Sequence, residues 1–307
     1  MTGQRLPLEL VARILRLAAP PRTLSSLGEH TRPFKRLSLV HRSWTRLAQR
    51  ELRRHVCLDF AEGGGTCSAS EVIRSADFRA GIERLDISTG LYEDMRFYTS
   101  TILALGSSPI LVELGFWRSR EKLQRNTCRE LGWYFERTRS APSPVPPFHS
   151  VGPSLRYLCI DHHTLEGWEL EHFPALQVLL FTNTRTGLRV ESILDTPSSD
   201  LRILGFKAPT YLRSNHFPRL PPKLTHLAII DTSIRFSAEF YFQQADLREC
   251  SNLRTFTLGI CPSSDLQLPR LHEQCIATDV TADTSICGDL GPLEAFDLEE
   301  WALRVGA

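Results

Sequence analysis

The segment Leu201-Arg202-Ile203-Leu204-Gly205-Phe206 contains the pattern that decides the fold: an apolar residue, two variable residues, an apolar residue, one variable residue and a last apolar residue. Residues two apart in an extended strand lie on the same face, so Leu204 and Phe206 share one side of the strand. Leu201 then lies beneath the turn that enters the strand. One such strand cannot bury its apolar face alone, so the pattern predicts stacked neighbours.

The pattern occurs eight times along the chain. Its copies begin at Ile82, Leu111, Leu155, Leu176, Leu201, Leu224, Leu253 and Leu293. Five of the seven intervals between successive copies fall between 21 and 29 residues, and two are longer. Such a period predicts an α/β fold in which each strand adds to one parallel sheet and the chain returns through helices or irregular segments. Residues 95–105 and 128–137 are candidate return helices.

The repeats resemble degenerate leucine-rich repeats, which implies an irregular solenoid over residues 66–307. In that family the residue three positions after the last core residue is usually Asn or Cys. In this chain only Cys261 fits that preference. The number and curvature of the repeats therefore stay open, and so does an α/β arrangement with ordinary crossovers. The proline-rich segment 140–153 is interpreted as an insertion within the array.

Alternation along the strands predicts which residues form the exposed face of the sheet. This face contains Arg84, Asp86, Glu113, Trp117, Tyr157, Asp161, Lys207 and His226. Since Trp and Tyr are enriched among residues that dominate binding energy, we interpret it as a recognition surface. The candidate substrate-binding residues are Trp117, Tyr157, Asp161, Lys207 and His226. The alternative is that they are ordinary surface residues.

The N-terminal segment Leu6-Pro7-Leu8-Glu9-Leu10 predicts the start of a helix, because proline is favoured where a helix has no use for its missing N–H. Pro20 and Pro21 end it. Most of the intervening residues are apolar, and Glu9, Arg13 and Arg16 form a narrow polar stripe. A helix with so wide an apolar surface requires cover on two sides, which indicates a partner protein.

A second amphipathic helix is predicted from Leu37, Val40, Trp44 and Leu47 at three- and four-residue spacing. With the Leu-Pro-x-Glu-Leu start, residues 4–58 resemble the F-box family, although the stretch between Pro20 and Phe34 is longer and more polar than usual. The resemblance implies a subunit that binds the Skp-type adaptor of a cullin–RING ubiquitin ligase and presents a protein substrate. The implied adaptor-binding residues are Leu6, Pro7, Leu8, Leu10, Ile14, Leu15, Leu39, Val40 and Trp44.

Charge and composition limit the classes of partner that we expect. Residues 1–60 contain twelve Lys and Arg against four Asp and Glu, although the whole chain of 307 residues has a net charge of +1. The arginines are interleaved with core-type leucines, which favours an acidic protein partner or a solvated face over nucleic acid. The sequence contains neither an apolar run of membrane-spanning length nor a secretory leader, so we expect a cytoplasmic or nuclear protein. Its eight cysteines include no Cys-x-x-Cys pair and are expected to be reduced thiols.

Two other functions stay open. The N-terminal helices could simply cap a non-catalytic leucine-rich scaffold, because terminal repeats need a cover. Alternatively, Asp161-His162-His163 resembles the signature of Asp-His-His phosphoesterases, although that metal chemistry needs an upstream Asp-x-Asp motif that the chain lacks. Gly63-Gly64-Gly65 has no Gly-Lys-Ser/Thr sequence and is interpreted as a joint between the two parts. We therefore expect no catalytic residues, cofactor or metal.

Overall fold

The structure is a computed structural model of the chain. It describes residues 7–20, 23, 26–40, 42–59, 80–89, 113–118, 154–161, 173–182, 200–207, 220–230, 251–260, 275–276, 279–286 and 296–306. The predicted return helices, the proline-rich insertion and the Gly63–Gly65 joint lie outside these residues.

Three helices open the described chain: α1 (Leu8–Ala18), α2 (Leu27–Val40) and α3 (Arg42–Arg54). Pro7 immediately precedes α1, and its carbonyl accepts the N–H groups of Leu10 and Val11. The sequence predicts one helix through Leu37 and Leu47, but the structure divides this region between α2 and α3. The polar segment before Phe34 forms much of α2, with Pro33 inside it.

The three helices pack around a small core. Ala12 of α1, Phe34 of α2 and Ala48 of α3 are buried. His30 is also buried, and its Nδ1 lies 2.6 Å from the carbonyl oxygen of Pro20, which joins the end of α1 to α2. Since α3 contacts both other helices, it is the centre of the helical module.

The described residues also form a nine-stranded parallel sheet. Its strands follow one another in chain order: β1 (His55–Asp59), β2 (Arg84–Thr89), β3 (Glu113–Arg118), β4 (Tyr157–Asp161), β5 (Val178–Thr182), β6 (Ile203–Lys207), β7 (His226–Ile230), β8 (Thr255–Ile260) and β9 (Thr281–Ile286). A last helix, α4 (Leu298–Gly306), follows the sheet. The prediction of an α/β fold with a parallel sheet is confirmed.

The register of the sheet follows the repeat pattern. The second apolar residue of each unit pairs with its counterpart in the next strand, as in Leu179↔Leu204 and Leu204↔Leu227. The third apolar residues align in the same way, and the rings of Phe181 and Phe206 stack with centroids 5.3 Å apart. Leu201, which begins its unit, is buried beneath its strand. Seven of the eight predicted units therefore coincide with β2 to β8.

The two ends of the sheet differ from the prediction. The unit predicted to begin at Leu293 does not end in a strand, because its last residue, Leu298, begins α4. The strands β1 and β9 lack the full apolar pattern, so the pattern does not predict them. Because α3 runs directly into β1, the sheet includes residues 55–58, which the F-box resemblance assigns to the helical module.

Candidate functional site

An apolar stripe lies exposed on α1. Leu10, Ile14 and Leu17 are spaced by four and three residues, which places their side chains on one face of the helix. Their exposed fractions are 47%, 54% and 80%. Ala12, on the opposite face, is buried. The described structure therefore leaves one apolar side of α1 open, and we call these three residues the α1 stripe.

An ion pair between an exposed arginine and a buried glutamate holds α1 in this orientation. The Nε of Arg16 donates to Oε2 of Glu51 in α3 over 2.8 Å, and a second guanidinium nitrogen contacts Oε1. Burial alone would raise the pKa of Glu51, but the hydrogen bonds from Arg16 and the charge of Arg54 lower it. Arg16, a residue of the predicted polar stripe, is itself largely exposed but thus reaches a buried carboxylate of α3, while Leu10 and Ile14 stay exposed. The reason is tertiary, because α3 offers a buried carboxylate to Arg16.

The residues implied to bind an adaptor occupy different environments. Pro7, Leu10 and Ile14 are exposed at or on α1, and Leu39 of α2 is 87% exposed. Leu15 and Trp44 are half-buried. Leu8 and Val40 lie in helices but their side chains are outside the described part, as is the whole of Leu6. Leu17 was missed by the resemblance, although its spacing from Leu10 and Ile14 identifies it.

The second candidate region is the sheet face that alternation predicts to be exposed. The prediction is wrong for Arg84, Asp86 and Tyr157, which are buried. The physical reason is α4, which packs against β5 and β6 on this face. Its residues Leu298, Trp301 and Ala302 form one apolar cluster with side chains of the sheet. The sheet contributes Tyr157, Cys159, Leu180, Ile203 and Ala228 to this cluster.

Polar contacts fix the start and the middle of α4. The side chain of Asp297 accepts the N–H groups of Glu299 and Glu300 over 2.9 and 3.0 Å, which caps the helix. Lys207 donates to the carbonyl oxygen of Phe296 over 2.5 Å. The indole N–H of Trp301 donates to Oγ1 of Thr257 over 3.1 Å. These contacts explain why α4 lies across the sheet in one position.

A buried ionic cluster lies under the first turn of α4. The Nε and Nη2 of Arg84 donate to the two carboxylate oxygens of Asp86 over 2.9 and 3.1 Å. Nη2 also donates to Oε1 of Glu299 over 2.6 Å, and the Tyr157 hydroxyl donates to the same oxygen over 2.5 Å. His55 of β1 contacts Asp86 through its Nε2. The cluster thus joins the first strands of the sheet to the last helix.

The pKa values of the acidic groups in this cluster shift in different directions. Burial alone would raise the pKa of Asp86, but the adjacent Arg84 and the hydrogen bond from His55 hold it well below its usual range. Burial raises the pKa of Glu299, with repulsion from Asp86 adding to the effect, and the attraction of Arg84 does not reverse it. Burial and the charge of Glu299 raise the pKa of Tyr157. These groups are engaged with one another, so the cluster holds α4 to the sheet.

The remaining predicted substrate-binding residues are not brought together on an open surface. Lys207 is half-buried against the start of α4, as described above. His226 is half-buried, and its Nδ1 lies 2.6 Å from Oγ1 of Thr255. Burial and the charge of Arg254 lower the pKa of His226. Trp117 and Asp161 lie in β3 and β4, but their side chains are outside the described part.

Within the described residues, no group of three His, Cys, Asp or Glu side chains is arranged to hold a metal ion. His162 and His163 lie outside the described residues. Among the helices that the structure describes, none combines the length and apolarity needed to cross a bilayer.

No protein-family model matches the chain, and no curated protein matches it significantly.

Proposed function

We propose that this protein is an F-box subunit of a cullin–RING ubiquitin ligase, which binds a Skp-type adaptor through its N-terminal helices and a protein substrate through a leucine-rich-repeat-like solenoid. The observation that supports this most directly is the α1 stripe, an exposed apolar surface on an N-terminal helical module that continues into a repeat-built sheet. Exposed apolar patches on folded proteins commonly mark interaction sites. In this role the protein performs no chemistry itself.

The stripe suits a protein partner because of its spacing. Side chains three and four residues apart on a helix form the row that inserts into an apolar groove of another protein. Arg13 is exposed on α1 between Leu10 and Ile14, and the excess of basic residues in the first sixty positions favours a partner with acidic surroundings. Leu39, Trp44 and Pro7 are further contact candidates from the resemblance.

The solenoid proposal is supported by the sheet. Nine parallel strands in chain order, with equivalent apolar residues paired from strand to strand, are typical of repeat architectures. In such an assembly the substrate is held near a ubiquitin-loaded enzyme bound elsewhere, which raises the effective concentration of the two reactants. Because α4 covers the face near β5 and β6, a substrate meets other parts of the surface.

The test is binding of the purified full-length protein to a Skp-type adaptor, measured by size-exclusion chromatography and calorimetry. Leu10→Asp and Ile14→Asp place a charge in the α1 stripe and should abolish the complex. Leu303→Asp is the matched control, because Leu303 is a comparably exposed leucine, 42% accessible, on α4. A folded wild-type protein that does not bind, or equal binding by all three variants, would reject the proposal.

A capping role for the helices is the second candidate, and one contact favours it. Arg54 at the end of α3 pairs with Glu83, which immediately precedes β2, so the helical module is attached to the first strands. If capping is the whole function, Leu10→Asp should lower the melting temperature of the sheet and no adaptor complex should form. If adaptor binding is the function, the same variant should melt like the wild type.

A further inference from the structure

A row of residues runs along the end of the sheet at which the strands begin. It consists of Arg156, Gln177, Arg202, Thr225 and Arg254, one before each of β4 to β8, and we call it the edge row. The three arginines occur on alternate strands, β4, β6 and β8. Gln177 and Thr225 occupy the strands between them. The edge row therefore presents positive charge at a regular interval.

The backbone of the edge row is firmly held. The carbonyl oxygen of Arg202 accepts the N–H groups of Thr225 and His226 over 2.8 and 3.0 Å. The carbonyl oxygens of Arg156, Gln177 and Thr225 each accept two N–H groups from the following strand in the same way. Neighbouring strands lie about 4.8 Å apart, so arginines on alternate strands have backbones about 10 Å apart. The spacing is thus set by the sheet and not by a loop.

The charges at this edge are only partly neutralised. Lys223 pairs with Asp200, so these two residues offset one another. Asp279 precedes β9 and lines the same depression as Arg254. Among the described residues, no carboxylate forms an ion pair with Arg156, Arg202 or Arg254. Asp200 lies near enough for the charge of Arg202 to contribute to lowering its pKa. As far as the described part of the chain shows, the three guanidinium groups can therefore still pair with an anionic partner.

A depression of about 480 Å³ opens between the last two arginines of the row. Its lining is polar, with hydroxyl and amide groups beside the two guanidinium groups. The lining residues are Arg202, Lys223, Thr225, Ser251, Asn252, Leu253, Arg254 and Asp279. Its volume lies within the range of sites that hold small ligands or peptide side chains, about 300–1,000 Å³.

We propose that the edge row binds an extended peptide with two anionic side chains three residues apart, phosphorylated or acidic. In the extended polyproline-II conformation a peptide rises about 3.1 Å per residue with three residues per turn, so side chains three residues apart lie on one face about 9 Å apart. This separation is close to the interval of about 10 Å between the backbones of Arg202 and Arg254. Arginine suits this task because its planar guanidinium binds carboxylate or phosphate through two parallel hydrogen bonds. Thr225 lies between the two arginines, and its hydroxyl donates to the carbonyl oxygen of Arg202 over 3.0 Å. The oxygen of this hydroxyl can still accept an N–H group of the intervening peptide.

Nucleic acid fits the same surface less well. The residues that line the depression include no aromatic side chain on which a base could stack. A continuous row of phosphates would also pass close to Asp200 and Asp279, whereas a peptide can place its two charges at the arginines alone. The proposal is independent of adaptor binding, because it concerns a different part of the chain and its test contains no adaptor.

The test uses the full-length protein and fluorescein-labelled peptides of one composition, followed by fluorescence anisotropy. One peptide has two phosphoserines three residues apart, a second has them adjacent, a third has glutamates three residues apart, and a fourth is unphosphorylated. We expect the first to bind most tightly, the third more weakly, and the second and fourth at least about tenfold more weakly than the first. Binding of the first should weaken with salt above about 0.1 M, where charges are screened within about 10 Å.

Variants of the edge row complete the test. Arg202→Gln and Arg254→Gln should each weaken binding of the first peptide by about tenfold or more, because each removes a charge-assisted hydrogen-bonding group. Arg304→Gln, at an exposed arginine of α4, is the matched control and should bind like the wild type. Arg254→Lys keeps the charge and should retain part of the affinity.

Several outcomes would overturn the proposal. These are the absence of binding by any peptide, equal binding of the two phosphoserine spacings, and equal affinities of Arg202→Gln and Arg304→Gln. Tighter binding of a single-stranded oligonucleotide with the same dependence on Arg202 and Arg254 would replace the peptide with nucleic acid. Retained adaptor binding in the Arg202→Gln and Arg254→Gln variants would show that their loss of peptide binding is separate from the proposed F-box function.

Discussion

Arg84 and Glu299 lie 215 positions apart in the chain, and their side chains are joined by a hydrogen bond of 2.6 Å. Arg84 belongs to the second strand, and Glu299 belongs to the first turn of the last helix. A buried ion pair gains stability only when its geometry is good and its other polar atoms are satisfied. Asp86 and Tyr157 satisfy these atoms here, so the contact fixes α4 on the sheet.

Replacing Arg84 with Met should destabilise the protein strongly. The variant leaves Asp86 and Glu299 buried without the guanidinium that joins them, and breaking a buried pair in this way costs about 3–5 kcal/mol. Urea unfolding followed by circular dichroism measures the loss. Arg304→Met, the same change at an exposed site on α4, should cost less than about 0.5 kcal/mol. Equal stabilities of the two variants would contradict the structural role of the cluster.

Glu299→Gln should change how stability depends on pH. Because the pKa of Glu299 is raised above its ordinary value of 4.5, the folded protein binds more protons than the unfolded chain above pH 4.5. Its contribution to stability therefore falls as pH rises from 4.5 to the raised pKa, by about 1.4 kcal/mol for each step of one in pH. Asp86 does not counteract this, since its lowered pKa leaves it ionised in both states throughout that window.

The glutamine of this variant cannot lose a proton, but its carbonyl oxygen can still accept the hydrogen bonds of Arg84 and Tyr157. The free energy of unfolding of the wild type relative to Glu299→Gln should thus decline as pH rises above 4.5. Urea unfolding at a series of pH values measures this difference. A difference that is constant with pH would show that Glu299 titrates normally.

Gly205→Val should disturb the contact between α4 and the sheet. A Cβ atom at position 205 would lie 2.8 Å from Cδ1 of Leu298 and 3.0 Å from Cδ2 of Leu180, so side chains must shift even for alanine. Overpacking of this kind costs about 1–3 kcal/mol. Gly28→Val is the control, because no atom outside its own neighbourhood lies within 4 Å of a Cβ there. A destabilisation of Gly28→Val equal to that of Gly205→Val would contradict the packing of Leu298.

The thiols of Cys159 and Cys275 should react slowly in the folded protein. Both are buried, and burial raises the pKa of the Cys275 thiol, which lowers the fraction of reactive thiolate. Alkylation with iodoacetamide, quantified by mass spectrometry with and without urea, should label both residues at least about tenfold faster in urea. Rapid labelling of Cys159 in the native protein would mean that α4 leaves the sheet readily, since Cys159 packs against it.

The sequence identifies the repeating part of the fold but not its ends. The spacing of Leu204 and Phe206 recurs in each unit from β2 to β8, so the strands and their register follow from a local pattern. The pattern at Leu293 wrongly predicts a strand where α4 begins, because apolar residues three apart also lie on one face of a helix. Asp297 followed by Glu299 and Glu300 is the signal that favours a helix there, since acidic residues are preferred at its first turn.

The candidate sites, like the fold, follow from the sequence only in part. Leu10 and Ile14 belong to the family resemblance, whereas the orientation of α1 depends on Arg16 meeting Glu51 across 35 residues. The edge row was also not predicted, because Arg202 and Arg254 look like ordinary exposed residues until the sheet places them on alternate strands. Each residue of the edge row directly follows the first apolar residue of its repeat unit, so the repeat pattern contains the signal that could have identified the row.

The sequence by itself determined the positions of α1 and of seven strands, because alternation and proline placement act over a few residues and need no distant partner. Only the tertiary structure decided what covers the sheet. Arg84, Asp86 and Tyr157 are typical of an exposed polar face until α4 supplies Glu299 and an apolar surface from the far end of the chain. Burial of a charged group depends on a partner that no local pattern encodes, and this is why the covered face could not be predicted.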